Sequence, residues 1–313
     1  MEQKTLKQLV KLTILIIVIS YVVDKILFFS LNTISDNVMS GQAIGKLNQF
    51  LTVKDSADVL VFGNSRANHH IIADQFNDNA FNMGVNGVGI AYSSTLINSL
   101  PKDKEQIIIV HIDTKNFFND DYDGSDIGGL RSKYNRNEEI TEALDASGRV
   151  SFLQNIYYSI NYNGSLIGIL KNYIKPKYDY KTYKGFDPLV VNESQSAARD
   201  YTLRNDIAEN CTDSHKVNQV ALNYLMKIKA VKEKSKKNFI FVTSPIHNDP
   251  CDEDNKILNG IMSEHKLSYR DYSNLYKTTQ PDDMSLWKDK THLSNLGAEK
   301  FTMYLREEFL FLR

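Results

Sequence analysis

Short runs of consecutive apolar residues punctuate the chain, and most are too short to be helices. Asp58-Val-Leu-Val-Phe62 runs into Gly63-Asn64-Ser65, and similar runs occupy residues 80–83, 106–112 and 238–243, with a weaker one at 267–272. A strand that is apolar throughout, rather than at alternate positions, is covered on both faces, as in a parallel sheet. Between these runs lie segments with helical periodicity, at about 89–100, 216–236, 253–265 and 295–311. In the second of them Val217, Val220, Leu222, Leu225, Met226 and Ile228 form a broad apolar face with lysines on the far side. Strands alternating with helices predict an α/β fold around a parallel central sheet. Residues 117–205 break the rhythm. They are rich in tyrosine, carry no clear strand, and read as a largely helical or irregular insert after the third strand. An insert there rises over the carboxyl edge of the sheet, where α/β sites form.

The amino terminus follows a different pattern. Lys4, Lys7 and Lys11 precede the apolar run from Leu12 to Val23, and Asp24 and Lys25 separate it from a second apolar patch at 26–31. A basic flank before an apolar stretch is the pattern of a signal or a signal anchor. The uninterrupted run is shorter than the ~20 residues of a full span, but Lys11 can reach one interface and Asp24 with Lys25 the other. With no small-residue cleavage site after Val23, residues 1–32 are expected to stay as a transmembrane anchor. The positive-inside rule then places residue 33 onward on the extracytoplasmic side. The polar stretch 33–57, with a short amphipathic piece near 47–51, is expected to be a stalk, and 58–313 a single domain containing the insert. Cys211 and Cys251 would lie where a disulfide can persist; their pairing is left open by the sequence.

Composition narrows the classes of function. With 37 Lys+Arg against 38 Asp+Glu in 313 residues, the net charge of −1 argues against nucleic-acid binding by bulk positive charge. Two cysteines give neither a disulfide framework nor a C-x-x-C zinc site. No metal or other cofactor is expected.

Two segments could carry chemistry. Ser65 follows a Gly-Asn turn at the end of the first buried strand, where the start of a helix offers free N–H groups to a developing oxyanion. Taken alone, Gly-Asn-Ser is equally ordinary turn and cap chemistry. Far downstream, Asp289-Lys-Thr-His292-Leu-Ser-Asn-Leu-Gly297 sets an Asp three residues before a His, just ahead of the last helix. His292 could accept the serine proton while Asp289 fixes its tautomer. His69, close to Ser65 in sequence, is the reserve base.

Together these segments resemble the SGNH (GDSL-type) hydrolase superfamily over roughly 58–313, with the insert outside the resemblance. That family carries its nucleophile in a Gly-Asp-Ser block and its acid and base as Asp-x-x-His near the C-terminus. Gly63-Asn64-Ser65 and Asp289-x-x-His292 stand in the matching places and order. The resemblance implies a three-layer, flavodoxin-like fold and assigns Ser65, Asp289 and His292 the catalytic roles. It also implies an oxyanion hole built from the Ser65 N–H, from Gly87 in Asn82-Met-Gly-Val-Asn-Gly87, and from Asn116. Two departures stand out. Asn64 replaces the family's Asp, and Asn116 lacks the Gly and Asp that flank it in the family. Asn64, Arg66 and His247 are the candidate substrate-binding residues. The implied activity is that of a serine esterase or O-acetyltransferase acting on a cell-envelope polysaccharide, and the resemblance implies a membrane acyl-donor protein as the partner of a transferase. The competing expectation is a catalytically silent SGNH fold that binds a glycan or an envelope protein.

Overall fold

The computed structural model describes residues 3–206, 215–249 and 251–310. The chain opens with a single helix, α1 (Gln3–Asp36), long and apolar enough to cross a membrane by length and composition. At 1.5 Å per residue it extends about 50 Å. It runs straight through Asp24 and Lys25, the charges expected to end the span, into the segment expected to begin a stalk.

That segment is part of the folded body. After a turn, α2 (Ile44–Val53) is buried along most of its length, with Leu47 and Phe50 in the main core. Its polar residues are buried with it and find distant partners. Asn48 Nδ2 donates to the carbonyls of Ser35 (2.7 Å) and Val38 (2.8 Å), and Gln49 Nε2 donates to those of Tyr180 (2.9 Å) and Tyr183 (2.7 Å). The amide N–H groups are matched in this way, and with Ile44, Leu47 and Phe50 buried beside them the segment packs as a core helix.

The α/β expectation holds. Strands β1 (Val59–Phe62), β2 (Ala80–Asn82), β3 (Gln106–His111), β4 (Lys237–Thr243) and β5 (Tyr269–Asp271) form one parallel sheet in the order β2-β1-β3-β4-β5. Alternate residues feed two cores. Leu60, Phe62, Ile108, Val110, Phe239 and Phe241 face one layer, whereas Val59, Val61, Ile109, Ile240 and Val242 face the other. The chain winds outward in both directions from β1 and β3, so the crevice at their carboxyl ends is the topological switch point of the sheet.

The connecting helices follow the sequence pattern closely. α3 (Ser65–His70) follows β1, and α4 (Ile90–Asn98) precedes β3. The insert begins with α5 (Thr114–Phe117) and continues through α6 (Glu138–Ala146), α7 (Phe152–Ile156), α8 (Leu166–Ile174) and α9 (Glu193–Arg204). It contains no strand among the described residues. The core resumes with α10 (Gln219–Glu233), α11 (Asp252–Glu264), α12 (Leu275–Thr279) and α13 (Asn295–Leu310). Helices α2, α4, α10 and α11 pack into the first core, and α13 with the loop before it into the second.

The end of the insert is strapped to the sheet rather than hung over it. Asn82 N–H donates to the Lys184 carbonyl at 2.8 Å. At Gly185, φ is +86° and a Cβ would lie 2.0 Å from the Asn82 oxygen, so only glycine allows this approach. Cys211 lies outside the described residues, and with it the question of a Cys211–Cys251 bridge.

Candidate functional site

The carboxyl edge of the sheet gathers the chemistry-bearing residues because three strands end there. β1 ends in Gly63, where φ is +146° and a Cβ would come within 2.8 Å of the Cβ atoms of both Ala67 and His111. Glycine lets the chain turn sharply into α3 and sets Ser65 at the first position of that helix. Asn64 is its N-cap: Oδ1 accepts the Arg66 N–H at 2.9 Å, while Nδ2 donates to Asp113 Oδ2 at 2.6 Å. The turn after β1 is thereby tied to the turn after β3.

Ser65, His292 and Asp289 meet in one hydrogen-bonded chain. Ser65 Oγ lies 2.9 Å from His292 Nε2, and His292 Nδ1 lies 3.0 and 3.1 Å from the two carboxylate oxygens of Asp289. A carboxylate only accepts, so the Nδ1 proton faces Asp289 and Nε2 is left to accept from the serine hydroxyl. Asp289 also accepts the backbone N–H groups of Thr291 (2.9 Å) and His292 (2.8 Å), which fold the Asp-x-x-His loop on itself. Partial burial alone would raise the Asp289 pKa, but the His292 contact and these backbone donors outweigh it and hold the carboxyl down to about 2. Its side chain is nonetheless 49% exposed, against 24% for His292.

His69, the reserve base, is engaged elsewhere. Its Nδ1 donates to the Asp187 carbonyl at 2.6 Å, and its ring stands perpendicular to His292 with centroids 5.6 Å apart. The other expected residues divide. Asn64, Gly87 and Asn116 line one cleft with Ser65, of about 280 Å³, to which the insert contributes Tyr122 and Asp126. Asp126 Oδ2 accepts the N–H groups of Gly89 (2.9 Å) and Tyr92 (2.8 Å) at the start of α4, and its Oδ1 accepts from the Tyr122 hydroxyl at 2.9 Å. Arg66 and His247 do not line that cleft. Arg66 is buried, with its guanidinium on the Ser244 carbonyl and, at 3.2 Å, the Ser244 hydroxyl. His247 Nδ1 faces Asp206 at 3.4 Å, and Lys290 Nζ reaches the same carboxylate at 2.5 Å. Among the described residues no group of three or more His, Cys, Asp and Glu side chains is arranged to hold a metal ion.

Beneath the Ser–His pair lies a buried polar cluster that sequence reasoning missed. Ser244 Oγ, just past β4, receives Arg66 Nε and lies 2.8 Å from His70 Nδ1 and 2.9 Å from His111 Nε2. His70 Nε2 accepts the Leu293 N–H at 3.0 Å, so its other nitrogen, Nδ1, carries the proton. Burial, reinforced by the Arg66 charge, pushes the pKa values of both His70 and His111 well down. Neutral His70 thus pins the backbone one residue beyond His292. Only the adjacency of His70 to His69 hinted at it; nothing in the sequence marks Ser244 or His111.

Lys46 of α2 is also fully buried. Its ammonium donates to Asn68 Oδ1 at 2.7 Å and to the Gly84 carbonyl. Burial pushes its pKa down to about 7, against the opposing pull of the Asp187 carboxylate. A lysine that loses its proton more readily when folded makes the unfolded chain the better proton binder above pH 7. Stability should therefore rise with pH from about 7 toward the ordinary lysine range, by at most about 1.4 kcal/mol per pH unit. Chemical denaturation at successive pH values should show that rise, and Lys46→Met should reduce it to the part that Lys237 contributes, whose pKa burial lowers to about 8.

The sequence matches no model of a known protein family, and no curated protein matches it.

Proposed function

We propose that this protein is a membrane-anchored serine acyl-ester enzyme of SGNH type, acting as an esterase or O-acetyltransferase on a cell-envelope polysaccharide. The observation that carries the reading is the continuous Ser65–His292–Asp289 chain, with Nε2 of the imidazole 2.9 Å from the serine hydroxyl. Residues from opposite ends of the domain meet there in the order and spacing of the SGNH blocks. The strand order 2-1-3-4-5, which flavodoxin-like sheets share, agrees with that fold.

In this mechanism Ser65 Oγ attacks the acyl carbonyl as its proton passes to His292 Nε2. Asp289 keeps the Nδ1 proton in place and balances the imidazolium. The Ser65 N–H, the Gly87 N–H and the Asn116 amide stabilise the oxyanion. Collapse expels the alcohol, which takes the proton from His292 and leaves an acyl-Ser65. Water or a sugar hydroxyl, deprotonated by His292, then attacks the acyl-enzyme and regenerates Ser65. The choice of acceptor separates esterase from transferase, and a transferase would draw its acyl group from a membrane donor protein. Helix α1 serves as the anchor, with the domain on the extracytoplasmic side.

The departure at Asn64 has a physical basis that leaves the nucleophile intact. An aspartate there would set its carboxylate against Asp113, where the Asn64 amide now donates at 2.6 Å. The test is to incubate the full chain with a polysaccharide acetylated in isotopically labelled form and follow the label by mass spectrometry. Release as acetate supports an esterase, and transfer to an added glycan supports a transferase. A label that stays in place, with the glycan bound, favours the silent binder.

A further inference from the structure

Asp24 and Lys25, which interrupt the apolar stretch of α1, are covered by the insert. Asp24 is 4% exposed. It accepts the N–H groups of Tyr158 and Ser159, each at 2.9 Å, and the Ser159 hydroxyl. Lys25 Nζ donates to the Ile156 carbonyl at 2.6 Å and sits 3.5 Å above the Tyr158 ring. The contact extends further toward the N-terminus, where Ser20 Oγ meets the Tyr157 hydroxyl at 2.9 Å. With the two charges paired to each other at 3.0 Å and their other hydrogen bonds met from the domain side, the outward face of α1 remains apolar beyond them, through Ile26 and Leu27 to Phe29, which is 68% exposed.

This changes where a bilayer must end. From Leu12 to Val23 the helix covers only about 18 Å, well short of the ~30 Å hydrocarbon core. From Leu12 to Phe29 the exposed apolar face covers about 27 Å, close to that thickness. A membrane matched to this longer face reaches the level of residues 156–159, because those residues touch Ser20, Asp24 and Lys25. The part of the insert packed there, and α8 just beyond it against the end of α1 at Phe28, Leu31 and Ile34, carry apolar side chains that a water-facing surface does not need. Phe152 (77% exposed) and Leu153 project from α7, and α8 exposes Leu166, Ile167 (83%), Leu170 and Ile174 while burying Ile169 against α1. Positions 166, 167, 170 and 174 share one helical face. Exposed Lys171 and Lys175 flank it, suited to lipid phosphates.

The geometry points to an interfacial collar: residues 152–170 of the insert lie in the outer interfacial layer of the same phospholipid bilayer that α1 crosses, holding the Ser65 cleft close to the membrane surface. The inference rests on the reading of α1 as a span. Its occupant is lipid, because residues 156–159 sit directly on Ser20, Asp24 and Lys25, within the length of the span.

The test places an environment-sensitive NBD fluorophore on single introduced cysteines in the full chain with Cys211 and Cys251 both changed to Ser, reconstituted in phosphatidylcholine–phosphatidylglycerol vesicles. The variants are Phe152→Cys and Ile167→Cys in the collar, Val18→Cys within α1, and Tyr201→Cys on α9, a position 72% exposed. Nitroxides on the lipid acyl chains should quench the label at 152 and 167 as they do at 18, with blue-shifted emission, and leave the label at 201 unquenched. Quenching at 18 alone, with 152 and 167 behaving like 201, overturns the collar and leaves the span intact. A water-exposed label at 18 overturns both. Blue shift at 152 and 167 that depends on protein density, without lipid quenching, assigns the face to a second copy and also overturns the collar.

Discussion

Ser65→Ala should lower the turnover of an aryl acetate by about four orders of magnitude or more while leaving the protein folded. The serine hydroxyl is the one that meets His292 Nε2, whereas Thr291 Oγ1 lies on the Nδ1 side that faces Asp289, so loss of Ser65 removes the covalent route outright. The residual rate would come from the remaining donors of the cleft. His292→Ala should cost about as much, and the double variant little more than either, because the pair acts as a unit. Asp289→Asn should cost less, about 10²- to 10³-fold. The amide would still accept from the loop N–H groups, but it could present a donor to Nδ1 and favour the wrong tautomer. Because the Asp289 carboxylate is 49% exposed, water shares the work of balancing the imidazolium. Kinetics on the purified full chain, with circular dichroism confirming the fold, checks all four. Turnover by Ser65→Ala at the unmodified rate would remove the serine from the mechanism.

Phe50→Ala should destabilise the fold by about 3–5 kcal/mol, the usual cost of emptying a fully buried aromatic site. For a domain of this size that lowers the melting temperature by roughly 10 °C. Phe50 is fully buried and packs edge-to-face on Phe62 of β1, with ring centroids 5.6 Å apart. The cavity would open directly beneath the strand that delivers Ser65. Were 33–57 a detached stalk, the same substitution would leave the melting temperature unchanged, so differential scanning calorimetry separates the two pictures.

The stalk expectation failed for a reason that α2 makes plain. Ile44, Leu47, Phe50 and Leu51 do have helical spacing, but Lys46, Asn48 and Gln49 between them read as solvent-facing. They are buried because Asn68, Gly84, Ser35, Val38, Tyr180 and Tyr183 supply partners from remote parts of the chain. No local pattern encodes that pairing. The inner strands were legible because residues buried on both faces must be apolar without interruption, as the runs of β1, β3 and β4 are; β5, at the edge, leaves Arg270 and Asp271 exposed and gave the weaker signal. Ser65, Asp289 and His292 were legible through their neighbours in the sequence. The groups behind them were not: Arg66 and His70 of α3, His111 of β3 and Ser244 just past β4 become a cluster only once β1, β3 and β4 lie side by side. The helix α1 shows the same division. Its apolar run was visible, whereas the partners that let it continue past Asp24 and Lys25 lie more than 130 residues away in the chain.

The central claim is that Ser65 is an activated nucleophile, and covalent capture tests it most directly. The intact protein is treated with a fluorophosphonate, digested, and the modified peptide sequenced by mass spectrometry. The account predicts a single adduct on Ser65, formed rapidly in the unaltered chain and at a small fraction of that rate in His292→Ala. A folded protein that leaves Ser65 unmodified, or labels it equally fast without His292, would contradict the account.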